Sequence, residues 1–270
     1  MAITILPLLI EPTMPHRTID GVSLEFRTIP GDATLPWLVF LHEGLGCVSL
    51  WRDFPDKLAR RLRMRALIYS RRGYGKSDAL ESPRKPNFMH DEALTVLPAL
   101  LDTLGIERPI LVGHSDGASI ALIHASASHQ PVTATVLMAP HVFVEGVTVA
   151  SIARATEAYE TTDLKTRLAK HHGHVNHAFL GWARIWLSPQ FTTWSLGSEV
   201  SKLATPTLAI QGADDEYGTL AQLDALASAP GPVQRLVLDR CGHSPHRDQE
   251  AAVLDAISGF VARVIANSKN

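Results

Sequence analysis

Short apolar runs that alternate with helical patterns constrain this chain more than any other feature. Trp37–Leu41, Ala66–Tyr69, Ile110–Val112 and Thr135–Met138 are each bounded by turn residues, and Thr207–Ile210 and Arg235–Leu238 follow late in the sequence. Such runs suit strands buried on both faces of a parallel sheet. Between them, Leu50–Leu62 repeats apolar residues at Leu50, Trp51, Phe54, Leu58 and Leu62. Phe88–Leu104 gathers Ala93, Val96, Leu97, Leu100, Leu101 and Leu104 on one helical face. Alternation at this spacing builds an α/β fold, a mostly parallel doubly wound sheet with right-handed crossovers. The alternating Val22, Leu24 and Phe26 fit a half-exposed strand near the sheet edge. With 270 residues, 46% of them hydrophobic, the chain is long enough for one such unit.

The pattern stops after Ala139-Pro140 and resumes at Pro206. From about Phe143 to Gly197 the chain reads as helical, with Trp182, Trp186 and Trp194 and no buried-strand run. Roughly 55 residues is too much for a plain loop. Residues 141–198 are therefore expected to form an inserted helical cap over the sheet's carboxyl edge, with 1–140 and 199–270 as the core.

Composition narrows the partners. Lys and Arg total 25 against 27 Asp and Glu, a formal net charge of −2, so nothing equips the chain to hold a phosphate backbone. Cys47 and Cys241 have no partner cysteines at metal-ligand spacing, which favours a reduced protein. Ile3–Ile10 is apolar but short, interrupted by Pro7, and lacks a basic flank and a small-x-small cleavage site. No other run approaches the ~18 apolar residues that cross a bilayer. The expectation is a cytoplasmic monomer or homodimer that acts on a small molecule, with no nucleic acid, membrane, cofactor or metal.

The chemistry centres on Ile110-Leu-Val-Gly113-His114-Ser115-Asp116-Gly117-Ala118-Ser119, a short apolar strand, then G-x-S-x-G, then a small-residue helix running to about His129. Five residues of this kind occur by chance in a chain with 18 glycines. The strand before and the helix after make the string a nucleophile elbow, with Ser115 on a sharp, strained turn and its hydroxyl exposed. A side chain at Gly113 or Gly117 would collide with the neighbouring strand or helix. A serine hydroxyl needs a base within reach. Of 13 histidines, His243 directly follows the Gly242 turn after the last expected strand, which places it at the same edge as Ser115; His246 is the rival. The acid should fall between Ser and His in chain order. Gln211-Gly212-Ala213-Asp214-Asp215-Glu216 follows a strand, and Asp215 is preferred over Asp214 and Glu216.

After Trp37–Leu41 comes His42-Glu43-Gly44-Leu45-Gly46, a glycine-rich turn able to bring a backbone N–H near Ser115, with the Asp116 N–H as a second donor. This turn, the Arg72–Ser77 loop, the Gly113–Gly117 elbow, the Gly212–Asp215 loop and Gly242-His243 together resemble the α/β-hydrolase superfamily from about residue 18 to 265. The resemblance is to its capped branch, with esterase-like, lactonase-like and proline iminopeptidase-like members. It implies that Gly44 and Asp116 donate the oxyanion hydrogen bonds. Many relatives carry Gly where this chain has Glu43 and Asp where it has Ser70. Glu43 would put a carboxylate beside the site and alter substrate charge preference; otherwise it is a solvent-facing turn residue, the slightly favoured expectation. Trp182 and Trp186 are packing residues or the walls of an acyl pocket.

Two further strings carry less. Gly75-Lys76-Ser77 mimics the end of a phosphate-binding loop, but Ser70 stands where that motif needs Gly. The His171–His177 tract has no carboxylate or Cys to complete a tetrahedral metal set, and a polar cap surface is expected. The expected activity is hydrolysis of an ester, thioester or lactone through an acyl-enzyme. A carbon–carbon bond hydrolase, an aminopeptidase or a cofactor-free haloperoxidase would use the same three residues, and a non-catalytic ligand-binding member is the remaining alternative. Epoxide hydrolases and dehalogenases use Asp at the elbow, and this chain has Ser.

Overall fold

A computed structural model describes residues 16–19 and 21–267. The Ile3–Ile10 run lies outside the described residues. Strands β1 (His16–Ile19), β2 (Val22–Ile29), β3 (Leu38–Leu41), β4 (Ala66–Tyr69), β5 (Ile110–His114), β6 (Ala134–Met138), β7 (Thr207–Gly212) and β8 (Val233–Leu238) form one sheet in the order β1-β2-β4-β3-β5-β6-β7-β8. The β1–β2 and β2–β4 pairs are antiparallel and the rest parallel. Every residue of β3 to β7 is buried, which is why those segments read as unbroken apolar runs. β1 was not anticipated, since His16–Ile19 carries no apolar alternation.

Helices cover both faces. On one face α1 (Phe54–Leu62) and the last helix pack Phe54, Leu58, Val253 and Ile257 against Phe40, Ile68, Val112 and Ile210. The anticipated Leu50–Leu62 helix is instead a short 3-10 turn (Val48–Trp51) followed by α1, with Asp53 between them. On the other face lie α2 (Phe88–Asp91), a π-helical turn (Glu92–Val96), α3 (Leu97–Thr103) and α4 (Asp116–Ala127). The π turn interrupts the expected Phe88–Leu104 helix and buries Glu92 against Tyr69, whose hydroxyl donates to it at 2.7 Å.

Between β6 and β7 the chain makes α5 (Gly146–Thr161), α6 (Leu164–Ala169), α7 (Val175–Trp186) and α8 (Gly197–Val200). Ile152, Phe179, Trp182 and Trp186 of this insertion belong to the same apolar cluster as Leu41, Leu111 and Leu137 of the sheet. After β7 come α9 (Ala221–Ala225), then α10 (Pro245–Asp248) and α11 (Glu250–Asn267) beyond β8. No described helix is long and apolar enough to cross a membrane.

The strand order reverses at β3, which pairs with β4 on one side and β5 on the other. In open α/β sheets the crevice outside the carboxyl ends at such a reversal is where ligands bind. The turn after β3 and the elbow after β5 meet there.

Candidate active site

Ser115 terminates β5 with φ 52° and ψ −119°, a strained left-handed conformation for a residue with a side chain. The chain can bend this sharply only because its flanks are glycines. A Cβ on Gly117 would lie 1.9 Å from the Leu41 carbonyl oxygen, and one on Gly113 would lie 2.3 Å from that of Gly117. α4 starts at Asp116, so Ser115 sits at a helix N-terminus, where the helix dipole favours negative charge.

The loops after β5, β7 and β8 bring three side chains together. The Ser115 Oγ–H is 2.9 Å from His243 Nε2, and His243 Nδ1–H donates to Asp215 Oδ1 at 2.8 Å. Asp215 is buried and also accepts from the Tyr217 and Gly218 N–H groups and from Gln211 Nε2. Burial alone would raise its carboxyl, but the His243 hydrogen bond and charge and the Tyr217 N–H hold it below the ordinary carboxylate range. Asp214 does not reach the imidazole: its N–H ties to the Cys241 carbonyl. Glu216 accepts from the His243 backbone N–H at 3.1 Å. His246 is buried between Trp51, Phe54 and His114, and burial first, then His114, pushes its imidazole well below the usual range.

The turn after β3 is fixed from beneath. Three donors converge on the Glu43 carbonyl: Arg71 Nη2 at 2.9 Å, His42 Nδ1 at 2.7 Å and the Gly46 N–H at 3.0 Å. Arg71, 1% exposed, also donates through its backbone N–H to His42 Nε2 and lies 3.8 Å from the buried Asp116 carboxylate. Burial, opposed mainly by Arg71, raises the Asp116 carboxyl. The Glu43 side chain does not face solvent, contrary to the slightly favoured expectation. Its carboxylate turns inward, 3.4 Å from His114 Nδ1 and 3.6 Å from Arg247. Burial opposes ionisation there, but the His114 hydrogen bond and charge and then Arg247 hold Glu43 well below the usual range. His114 Nε2 in turn donates to the His243 backbone carbonyl at 2.7 Å. A polar chain therefore links the turn at Glu43 to the loop that carries the imidazole.

Ser115, His243, Gly44 and Asp116 open into a cavity of about 110 Å³ that Glu43, Trp182 and Trp186 also line. Its remaining walls are Leu45, His114, His141, Thr148, Ile152, Tyr217 and Ser244. The residues expected at the site thus line one space, except Asp215, which reaches it only through His243. Sequence reasoning missed Arg71, His114, His141 and Tyr217. His114 occupies the second place of the elbow string, but nothing in a string shows that its ring reaches the His243 carbonyl. The His171–His177 tract serves as a mooring: His172 accepts from the Gly75 N–H and donates to the Leu45 carbonyl, while His171 meets the Ser49 hydroxyl. Among the described residues, no three His, Cys, Asp or Glu side chains are arranged to hold a metal ion. A larger groove of about 880 Å³ lies at the opposite, amino edge of the sheet, among Pro206, Pro232 and Phe260.

Comparison with known proteins follows the same lines. A 2-hydroxy-6-oxononadienedioate/2-hydroxy-6-oxononatrienedioate hydrolase of Cupriavidus pinatubonensis is 28% identical over 258 residues, covering 84% of this chain and 87% of that protein. An sn-1-specific diacylglycerol lipase of Mus musculus is 30% identical over 110 residues, which cover 41% of this chain. The match spans about a third of the lipase's length, 34%. The crystal structure of the enol-lactonase from Burkholderia xenovorans LB400 superposes with a TM-score of 0.72 at 22% identity, covering 92% of this chain and 100% of that one, a likeness of fold. Residues 38–256 match the model of the alpha/beta hydrolase family, well over half the sequence. The chain belongs to the alpha/beta hydrolase family.

Proposed function

We propose that the protein is a serine hydrolase that cleaves a carboxylic ester, thioester or lactone of a small to medium substrate through an acyl-enzyme. The observation that carries this reading is the pair of contacts at His243, 2.9 Å to the Ser115 hydroxyl and 2.8 Å to Asp215, at the edge of a cavity that Ser115 and His243 line. Ser115 attacks the carbonyl carbon while His243 takes its proton. Asp215 holds the imidazole in the Nδ1–H tautomer and stabilises the imidazolium. The backbone N–H groups of Gly44 and Asp116 receive the oxyanion, where one such donor is worth ~3 kcal/mol. His243 returns the proton to the leaving group, then activates water to release the acid. The insertion acts as a cap that closes over the acyl part, with Trp182 and Trp186 as walls. The protein works in the cytoplasm as a monomer or homodimer, without cofactor.

Ser115→Ala should reduce ester turnover at least ~10⁴-fold, the scale on which such nucleophiles contribute. The variant should unfold at the denaturant midpoint of the parent protein. Turnover retained in a folded Ser115→Ala protein would overturn the assignment. Carbon–carbon bond hydrolysis is the second reading, favoured by the hydrolase that matches over 84% of the chain. Hydrolysis of a vinylogous diketone at a kcat/KM above that of 4-nitrophenyl butyrate would select it.

A further inference from the structure

Charge in the cavity is lopsided. Two acidic residues, Glu43 and Asp116, line it, the Asp116 carboxylate being buried behind the wall, and among the described residues no Lys or Arg side chain lines it. The nearby Arg71 and Arg247 do not line it. Arg71 points its Nη2 at the His42 and Glu43 carbonyls, and Arg247 donates to the Leu50 carbonyl while facing Glu43. The His114 ring is taken up by Glu43 and the His243 carbonyl, and His243 itself by Ser115 and Asp215.

The other walls are apolar or neutral. Leu45, Ile152, Trp182, Trp186 and Tyr217 are among them. The Thr148 hydroxyl is spent on the Tyr217 carbonyl at 2.5 Å. His141 is 2% exposed and packs edge-on against Trp186, and burial first, then His243, pushes its imidazole down to about 3, so it meets a substrate uncharged. A space of about 110 Å³ holds three or four water-sized groups, each with a share of about 30 Å³ in the liquid.

We propose that this cavity selects short, uncharged acyl groups and rejects acyl groups that carry a carboxylate, with Glu43 as the residue that determines the charge preference. This rests on the serine hydrolase reading. An acyl carboxylate would be stripped of water with no Lys or Arg on the wall to receive it and with the His114 ring already held by Glu43, and would lie beside the Glu43 carboxylate. The proposed substrate class therefore differs in charge from the dioate for which the Cupriavidus hydrolase is named.

The test compares 4-nitrophenyl esters of butyrate, pentanoate, octanoate, hemisuccinate and methyl succinate on the intact protein, with labelling of Ser115 by an uncharged fluorophosphonate run alongside. Pentanoate and methyl succinate should turn over with similar kcat/KM, and hemisuccinate about 100-fold or more slowly, because burying an unpaired charge is costly. Octanoate should fall below butyrate. Glu43→Gln should narrow the hemisuccinate deficit at least ~5-fold by removing the facing charge. The wild-type ratios stand if that variant does not fold. Hemisuccinate turnover within about 3-fold of pentanoate, with Ser115 still labelled, would overturn this inference alone, since a real desolvation penalty exceeds that ratio. Loss of both labelling and all ester turnover would overturn the hydrolase reading, and this inference with it.

Discussion

Asp214 and Asp215 are adjacent and chemically identical, yet only one of them reaches the imidazole. Asp215 accepts hydrogen bonds from His243, two backbone N–H groups and Gln211, while Asp214 is engaged through its own backbone. Asp215→Asn should lower kcat about 10⁴-fold by favouring the wrong imidazole tautomer. Asp214→Asn should leave kcat within about 2-fold, as surface changes usually do. A comparison of the two variants under substrate saturation checks both. That a carboxylate of this loop lies near the imidazole is legible because chain order and the preceding strand confine it. The choice between neighbours depends on one turn of backbone that also orients Tyr217 and Gly218, and strings do not carry that. Glu43 was misjudged for a related reason. A carboxylate in a glycine-rich turn looks solvated until His114 and Arg247 are seen to converge on it.

At the scale of elements, polar side chains tie the insertion to the core at both ends. Gln222 of α9 is fully buried, accepts from the Val142 and Phe143 N–H groups, and donates to the Phe143 carbonyl and Glu145. Ser151 and Thr148 of α5 donate to the Glu216 and Tyr217 carbonyls, so α5 grips the loop that presents Asp215. His172 holds the far end over the Leu45 carbonyl. Gln222→Ala leaves buried backbone donors without a partner and should cost about 3 kcal/mol, the sum of lost hydrogen bonds and unmet desolvation. Denaturant unfolding measures that loss, and KM should rise as the wall at Thr148 and Ile152 loosens. The existence and place of the insertion could be read from the missing strand run. Its moorings could not, because buried glutamine and histidine are indistinguishable in sequence from exposed ones. The π turn at Glu92 escaped notice for the same reason.

For the molecule as a whole, burial keeps several imidazoles uncharged. His42, His124, His141, His172 and His246 are all shifted downward chiefly by desolvation, His141 to about 3. The unfolded chain binds protons at these positions near pH 6.5 and the folded chain does not. Their stabilising contribution is therefore complete above pH 6.5 and declines as pH falls toward their folded values. Each neutral buried histidine adds about 1.4 kcal/mol of lost stability per pH unit in that window. Urea unfolding between pH 6 and 5 should show a slope of several such increments, and His141→Phe should remove one of them. The parallel sheet and its layers are readable because β3 to β7 are buried on both faces, whereas half-exposed β1 shows no apolar alternation, and half-exposed β8 reads as a strand only from Arg235 to Leu238.

The apolar residues of α5 and α7 share a single cluster with the central strands. A lid taken from a relative and spliced between β6 and β7 would thus arrive with the wrong half of an interior. Retargeting this scaffold by grafting would demand that Leu41, Leu111 and Leu137 be redesigned together with the transplanted helices.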